Sequence, residues 1–313
     1  MLWAGSSPVY ASAENTTDGS IMLGPDVVGC SLWQCKRRSG FYSNWTQTMM
    51  SNPSLPPEIL DCVIDLLHDE PETLKQCCLV SRSWVPRTRR HLFADVKFRS
   101  ASDLESWKKA FPDTAKSPAY HAHTLFVGCP WLVTASDAEE GGWIRAFFGV
   151  ASLHVDGGTR YLRAPEVSLA PFYQFSPSLK SLLVGPFVFP YPQVFDIILS
   201  FPLLEDLILT GYDRSSVKGG DPNGPRAVIP SRSPPLTGLL GLHIQGGAEN
   251  TVRQLLELPN GLHFRKLVLS WACREDVWWI TELVERCCHT LESLDITYTF
   301  RRTSIRIWFA SRT

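Results

Sequence analysis

Between Leu55 and Phe93 the apolar positions fall at helical spacing. Ile59, Leu60, Val63, Ile64 and Leu67 recur at steps of one and three residues, a face broader than a coiled-coil seam, and so predict a first helix. Pro56 and Pro57 mark its start, where a missing N–H costs nothing, and Glu58 beside them faces the positive end of the helix dipole. A second helix follows Pro71, with Leu74, Cys77, Cys78, Leu79 and Val80 expected to point inward. A third begins near Ser83, carries Trp84 and ends around Leu92 and Phe93. About 40 residues seldom bury enough surface to offset their ordering entropy without disulfides, metal or a partner. The first two are missing here, so part of the apolar surface is expected to bind a partner, helices laid on helices. Ile64, Leu67 and Leu74 fit core and interface equally well.

After Phe93 the period changes. Asp95 to Phe98 read as a strand, and Asp103 to Phe111 as a short helix with Leu104, Trp107 and Phe111 on one side, together a bridge to the next domain. From residue 122 the pattern apolar-x-x-apolar-x-apolar recurs, at Ala122-Leu125-Val127, Val150-Leu153-Val155, Leu179-Leu182-Val184, Leu204-Leu207-Leu209, Leu239-Leu242-Ile244, Phe264-Leu267-Leu269 and Leu291-Leu294-Ile296. The starts lie 25 to 35 residues apart, with helical patterns between them at Gln193 to Leu199, Thr251 to Leu258 and Glu275 to Cys288. No such unit buries its own apolar faces, so the units are expected to stack as a curved solenoid, parallel sheet inside and helices outside. The residue between the second and third apolar positions then faces the concave surface. Those residues are Phe126, His154, Leu183, Ile208, His243, Val268 and Asp295, a mixture suited to recognising protein. For Leu183, Ile208 and Val268, cover by the chain itself is an equal alternative.

Two family resemblances attach to these patterns. Leu55-Pro56-Pro57-Glu58-Ile59-Leu60, then Leu74-Lys75-Gln76-Cys77-Cys78-Leu79-Val80-Ser81-Arg82-Ser83-Trp84, closed by Arg90-His91-Leu92-Phe93, resembles the F-box in the form common in fungal F-box proteins. The resemblance implies that Leu55, Pro56, Ile59, Leu60, Val80 and Trp84 bind the Skp-type adaptor of a cullin-based (SCF) ubiquitin ligase, and that the remainder selects a protein substrate. The second half is similar to irregular leucine-rich-repeat folds, although without their asparagine ladder, so its turns are expected to be held differently. The expected class is α/β: a disordered extension over 1–52, a three-helix F-box over 53–95, a bridging segment over 96–121, a leucine-rich-repeat-like solenoid of alternating strands and helices over 122–300, and a tail over 301–313. The expected activity is substrate recruitment by proximity rather than chemistry. A scaffold acting outside a ligase, or a hydrolase hidden in the repeat domain, are the alternatives.

Composition narrows the choice. At 313 residues with formal net charge −1 and pI near 6.7, the chain offers no overall basic field for nucleic acid or membrane. Its nine cysteines, an odd number, include the adjacent pairs Cys77-Cys78 and Cys287-Cys288, and Cys30 with Cys35 is an isolated gap. This points to no disulfide framework, no zinc finger and the reduced cytosol or nucleus. No signal sequence or transmembrane run is read, the triplets at Asn15 and Asn44 are expected to stay unmodified, and Met49 or Met50 is a candidate start. Gly211 to Gly238 reads as a surface loop made basic by Arg214, Lys218, Arg226 and Arg232. Arg82, Arg87, Arg89 and Arg90 read first as a solvated face and second as a contact for phosphate or an acidic partner. No hydrolase, metalloprotease, P-loop or dinucleotide motif occurs; His121 with His123, and Asp137 with Glu139 and Glu140, are expected to be structural. Neither enzyme activity, cofactor nor metal is expected. Arg301 to Thr313 show no capping helix, which leaves the last repeat expected to fray.

Overall fold

In a computed structural model of the chain the described residues are 56–128, 133, 137, 142–156, 170–185, 191–212, 234–245, 249–258, 261–272, 276–298 and 303–308. The extension over 1–52, Leu55, Cys30 with Cys35 and most of the Gly211 to Gly238 loop lie outside them.

Three short helices lead: α1 (Pro57–Leu66), α2 (Pro71–Val80) and α3 (Val85–Leu92). Each opens with proline in its first turn. Ile64, Leu74, Cys77 and Thr88 are the residues they bury. Ion pairing supplements that thin core: Arg87 of α3 grips Asp65 of α1 through two nitrogens, and His91 Nε2 meets Asp65 Oδ1 at 2.7 Å. Those hydrogen bonds, Arg87's first, hold the Asp65 carboxyl far below the usual carboxylate range.

Behind them the chain builds one nine-stranded sheet whose strand order is the order of the sequence. Its strands are β1 (Asp95–Phe98), β2 (Thr124–Val127), β3 (Ser152–Val155), β4 (Ser181–Val184), β5 (Asp206–Tyr212), β6 (Leu239–Gln245), β7 (Lys266–Ala272), β8 (Ser293–Tyr298) and β9 (Thr303–Trp308). β1 to β8 pair in parallel, and β9 returns antiparallel to β8. The fold is therefore α/β around an eight-stranded parallel sheet. The segment read as a bridge supplies β1 as well as α4 (Ala101–Ala110), whose start is closed by a reciprocal Ser100–Asp103 capping box. The later connections hold α5 (Tyr191–Leu199), α6 (Glu249–Leu256) and α7 (Val277–Cys287), while those before β3 and β4 tighten into 3₁₀ turns at Trp143–Ala146 and Ala170–Phe175.

The expected repeat residues stack in register across the sheet. Leu125, Leu153, Leu182 and Leu207 are partners in successive strands, and all are fully buried. A second continuous feature precedes the strands. The Ala94 carbonyl accepts both the His123 and Thr124 N–H groups, the His123 carbonyl those of Ala151 and Ser152, the Ala151 carbonyl those of Lys180 and Ser181, and the Lys180 carbonyl those of Glu205 and Asp206. Each layer thus fixes the start of the next. In place of an asparagine ladder, Ser178 Oγ donates to the Val150 carbonyl at 2.8 Å and Thr290 Oγ1 to the Phe264 carbonyl at 3.1 Å, each reaching back one layer.

The fifth copy is corrected by the structure. Leu207 pairs with Leu240 and Leu209 with Leu242, so Leu240 and Leu242, not Leu242 and Ile244, are its inward pair. Its leading residue is Leu236, fully buried and bonded through its N–H to the Leu204 carbonyl at 3.0 Å. One extra residue separates Leu236 from Leu240, and Leu236 takes φ +44° to absorb it. The tail adds a strand that the sequence reading lacked. Where fraying was expected, β9 pairs with β8 along its whole length, from Ser293–Trp308 to Tyr298–Thr303, and Leu294 and Ile296 are buried.

At the other end an aromatic cluster closes the sheet. Phe98 meets Trp107, Trp143 and Phe147 edge-on at 5.6, 5.3 and 6.1 Å, and Phe93 reaches in from the end of α3 to Trp107 at 6.1 Å. That aromatic residue joins the helices to the sheet.

Candidate docking surfaces

Around α1, at about 100° per residue, Ile59, Val63 and Leu66 form one narrow stripe, Leu60 and Leu67 follow, and Ile64 lies at the far edge of the same broad apolar face. With α3 packed on α1, only the Ile64 edge is covered. Ile64 is buried, Leu60 and Leu67 are half-buried, and the Ile59 stripe faces outward. Ile59, Val63 and Leu66 keep 48, 45 and 82 % of their surface exposed, and Leu79 and Val80 of α2 keep 74 and 68 %. The inward expectation for Leu79 and Val80 is thereby overturned. Leu79 stands about 200° around α2 from the buried Cys77, and Val80 is the last helical residue before the backbone becomes extended at Ser81. Of the other expected docking residues, Pro56 is exposed and Trp84 is half-buried, its carbonyl accepting from Thr88 N and Oγ1 at 3.0 and 2.7 Å. Leu66 escaped the sequence reading although it continues the Ile59–Val63 period.

The second surface lies on the sheet face opposite the buried columns. Phe126, His154, Leu183 and Ile208 are register partners in β2 to β5, all half-buried. The row continues through Gly241, Val268 and Asp295, with Arg306 of β9 beyond. His243 therefore does not belong to it. It stands two residues further along β6, opposite Thr210 and Ser270, with Nδ1 2.8 Å from Ser270 Oγ. Gly241 takes its place, and a Cβ there would sit 3.1 Å from Ile208 Cγ2. No apolar period marks a glycine, so only the corrected register reveals it.

From Phe126 to Val268 the strip crosses six strands, roughly 24 Å at ordinary strand spacing. Phe126 and His154 meet edge to face at 4.4 Å. Burial pushes the His154 and His243 rings below the ordinary histidine value, which favours their neutral form. The strip is thus aromatic and aliphatic with a glycine notch one strand from its Val268 end, a chemistry suited to desolvated contact.

The remaining candidates are occupied elsewhere. Asp137 pairs with Lys108 at 3.3 Å, and among the described residues no group of three His, Cys, Asp or Glu is placed to hold a metal ion. Cys62, Cys77, Cys78, Cys287 and Cys288 carry free thiols, with burial pushing that of Cys287 up to about 11. No helix among the described residues is long and apolar enough to cross a membrane. No family model, no curated protein and no solved structure matches this chain.

Proposed function

We propose that this chain is the substrate-recruiting adaptor of a cullin-based ubiquitin ligase. Residues 56–93 act as an F-box on the Skp-type adaptor, and a leucine-rich-repeat-like solenoid built on the parallel sheet holds a protein target. The observation that carries the reading is the inverted surface of the helical segment. Five large aliphatic side chains face outward on two short helices that bury only Ile64, Leu74 and Cys77. Exposed aliphatics in this number on a segment this short mark an interaction face. Its helical presentation suits a partner offering helices of its own.

The target's place is the Phe126–Val268 strip, which is aromatic and aliphatic, part-exposed and held by parallel pairing on both sides. The test is co-purification of the full chain with a Skp-type adaptor and its cullin. The intact chain is expected to capture both, and an Ile59→Ser/Val80→Ser variant neither. Capture of the adaptor without cullin would favour a scaffold outside the ligase, and equal capture by both chains would overturn the docking assignment.

A further inference from the structure

The helical segment is electrically polarised. Its six carboxylates fall between Glu58 and Glu72, and its four arginines between Arg82 and Arg90. Of those arginines, Arg87 is committed to Asp65. Arg89 and Arg90, on the last turn of α3, are exposed and make no ion pair among the described residues. The negative end of the helix offsets only part of that charge.

A second element brings more donors to the same place. The 3₁₀ turn Pro118–His121 packs against α3, its buried Pro118 and Ala119 setting its position, and it presents Tyr120 and His121. His123 follows, exposed, and its N–H bonds the Ala94 carbonyl at 2.8 Å, two residues beyond the end of α3. Tyr120 lies against the His121 ring at 4.0 Å and keeps half its own surface exposed. The arginines and histidines are about 30 residues apart in sequence, yet the backbone bonds at Ala94 fix one beside the other. Burial first, then the charges of Arg90, Arg89 and His123, depress the His121 pKa, as expected where cations are gathered without a counter-charge. Nearby carboxylates are engaged elsewhere: Asp113 with Lys116 at 2.7 Å, and Asp65 with Arg87 and His91. Asp95, exposed at the start of β1, is the one acid adjoining the junction in sequence.

We propose that Arg89, Arg90, His121 and His123 form an oxyanion site at the junction of α3 and β2, receiving phosphate or clustered carboxylates borne by a bound polypeptide. Two guanidinium forks match the paired oxygens of either group, and the imidazoles add single N–H donors. The Tyr120 ring supplies an apolar wall beside the anion. The anion site stands on its own geometry, whereas its polypeptide carrier rests on the reading of the chain as a recruiting adaptor.

The test uses the full chain. Inorganic phosphate is titrated at constant ionic strength while the ring signals of His121 and His123 are followed by NMR. Saturable shifts are expected with phosphate and none with chloride. Arg89→Gln/Arg90→Gln is expected to weaken phosphate about ten- to hundredfold, while Arg82→Gln leaves it unchanged and Arg89→Lys/Arg90→Lys restores part of it. Arg90→Gln alone, which keeps one guanidinium, serves if the double variant unfolds and is expected to weaken phosphate severalfold. Equal shifts in chloride, or unchanged phosphate binding in these variants, would overturn the site. A hexaglutamate peptide and an Ala-Ala-phosphoserine-Ala-Ala peptide then compete with phosphate. The one that displaces it identifies the source, and failure of both overturns the polypeptide assignment. Capture of the Skp-type adaptor by Arg89→Gln/Arg90→Gln, run in parallel, reports separately on the docking face.

Discussion

Leu66→Ala/Leu79→Ala separates the proposed docking role from folding most cleanly. In the free chain these side chains keep 82 and 74 % of their surface exposed. Full burial of a leucine is worth about 1.5–3 kcal/mol, so the fold draws only ~0.7–1.3 kcal/mol from the pair. Alanine's better helix propensity returns part of that. Melting is therefore expected to fall by no more than about 5 °C. If a partner covers both side chains, the remaining exposed fraction becomes binding energy, ~2.3–4.7 kcal/mol, or roughly 50- to 3000-fold in affinity. The matched control is Leu207→Ala, fully buried in β5, expected to cost about 2–5 kcal/mol of stability and to leave docking intact. Calorimetry reads the first quantity, and surface-plasmon binding to an immobilised Skp-type adaptor the second. Adaptor affinity within threefold of the parent, or a melting loss equal to that of Leu207→Ala, would refute the argument.

Three further predictions concern the sheet and the helical segment. Ser178→Ala removes the bond to the Val150 carbonyl and is expected to cost about 1–3 kcal/mol in denaturant titrations, because that carbonyl is left without its interlayer donor. Asp65 has its folded pKa depressed, so its contribution to stability is complete above the ordinary carboxylate value and is lost as pH falls through the depressed one. Acid titration of Asp65→Asn is accordingly expected to show a flatter loss of α1–α3 structure below about pH 4 than the parent. The Leu294 and Ile296 amides, in a strand paired on both sides, are expected to resist hydrogen exchange as well as Leu207 does; faster exchange at β8 would mean that β9 opens on its own.

The parallel sheet was legible because its inward positions repeat a simple rule. Leucine, valine or isoleucine two residues apart must face the core on every layer, and Leu153–Val155 or Leu267–Leu269 announce it by type alone. The rule fails where the backbone departs from it. At Leu236 a single added residue is absorbed by a positive φ, a conformation that leucine gives no sign of adopting, and Leu239 then imitates the missing pattern. The error moved one candidate contact from Gly241 to His243. The interlayer hydroxyls of Ser178 and Thr290 were equally hidden, since serine and threonine before a strand are commonplace in turns. In the helices the breadth of the apolar face was visible, but which edge the neighbours cover was not. Only packing separates Ile64 from Ile59. β9 is marked only by the short alternation Ser304-Ile305-Arg306-Ile307, whose isoleucines stand opposite Ile296 and Leu294, and it lies outside the apolar-x-x-apolar-x-apolar repeat.

The departure at Leu236 has a further consequence. The chain between β5 and β6 is closed at its base by three bonds: Leu236 N–H to the Leu204 carbonyl, Gly238 N–H to the Glu205 carbonyl, and Leu239 N–H to Asp206 Oδ1 at 2.6 Å. Elsewhere one carbonyl serves two N–H groups, but here a carboxylate takes the second. Gly238 makes room for it, since a Cβ would fall on Asp206 Oδ1. This clasp is built from residues 204–206 and 236–239 alone, and each doubling of a closed loop costs only about 0.6 kcal/mol. With its base stapled in this way, β6 is expected to keep its register on β5 when a foreign peptide is spliced in between residues 212 and 234, as amide exchange at Leu207 and Leu240 would report.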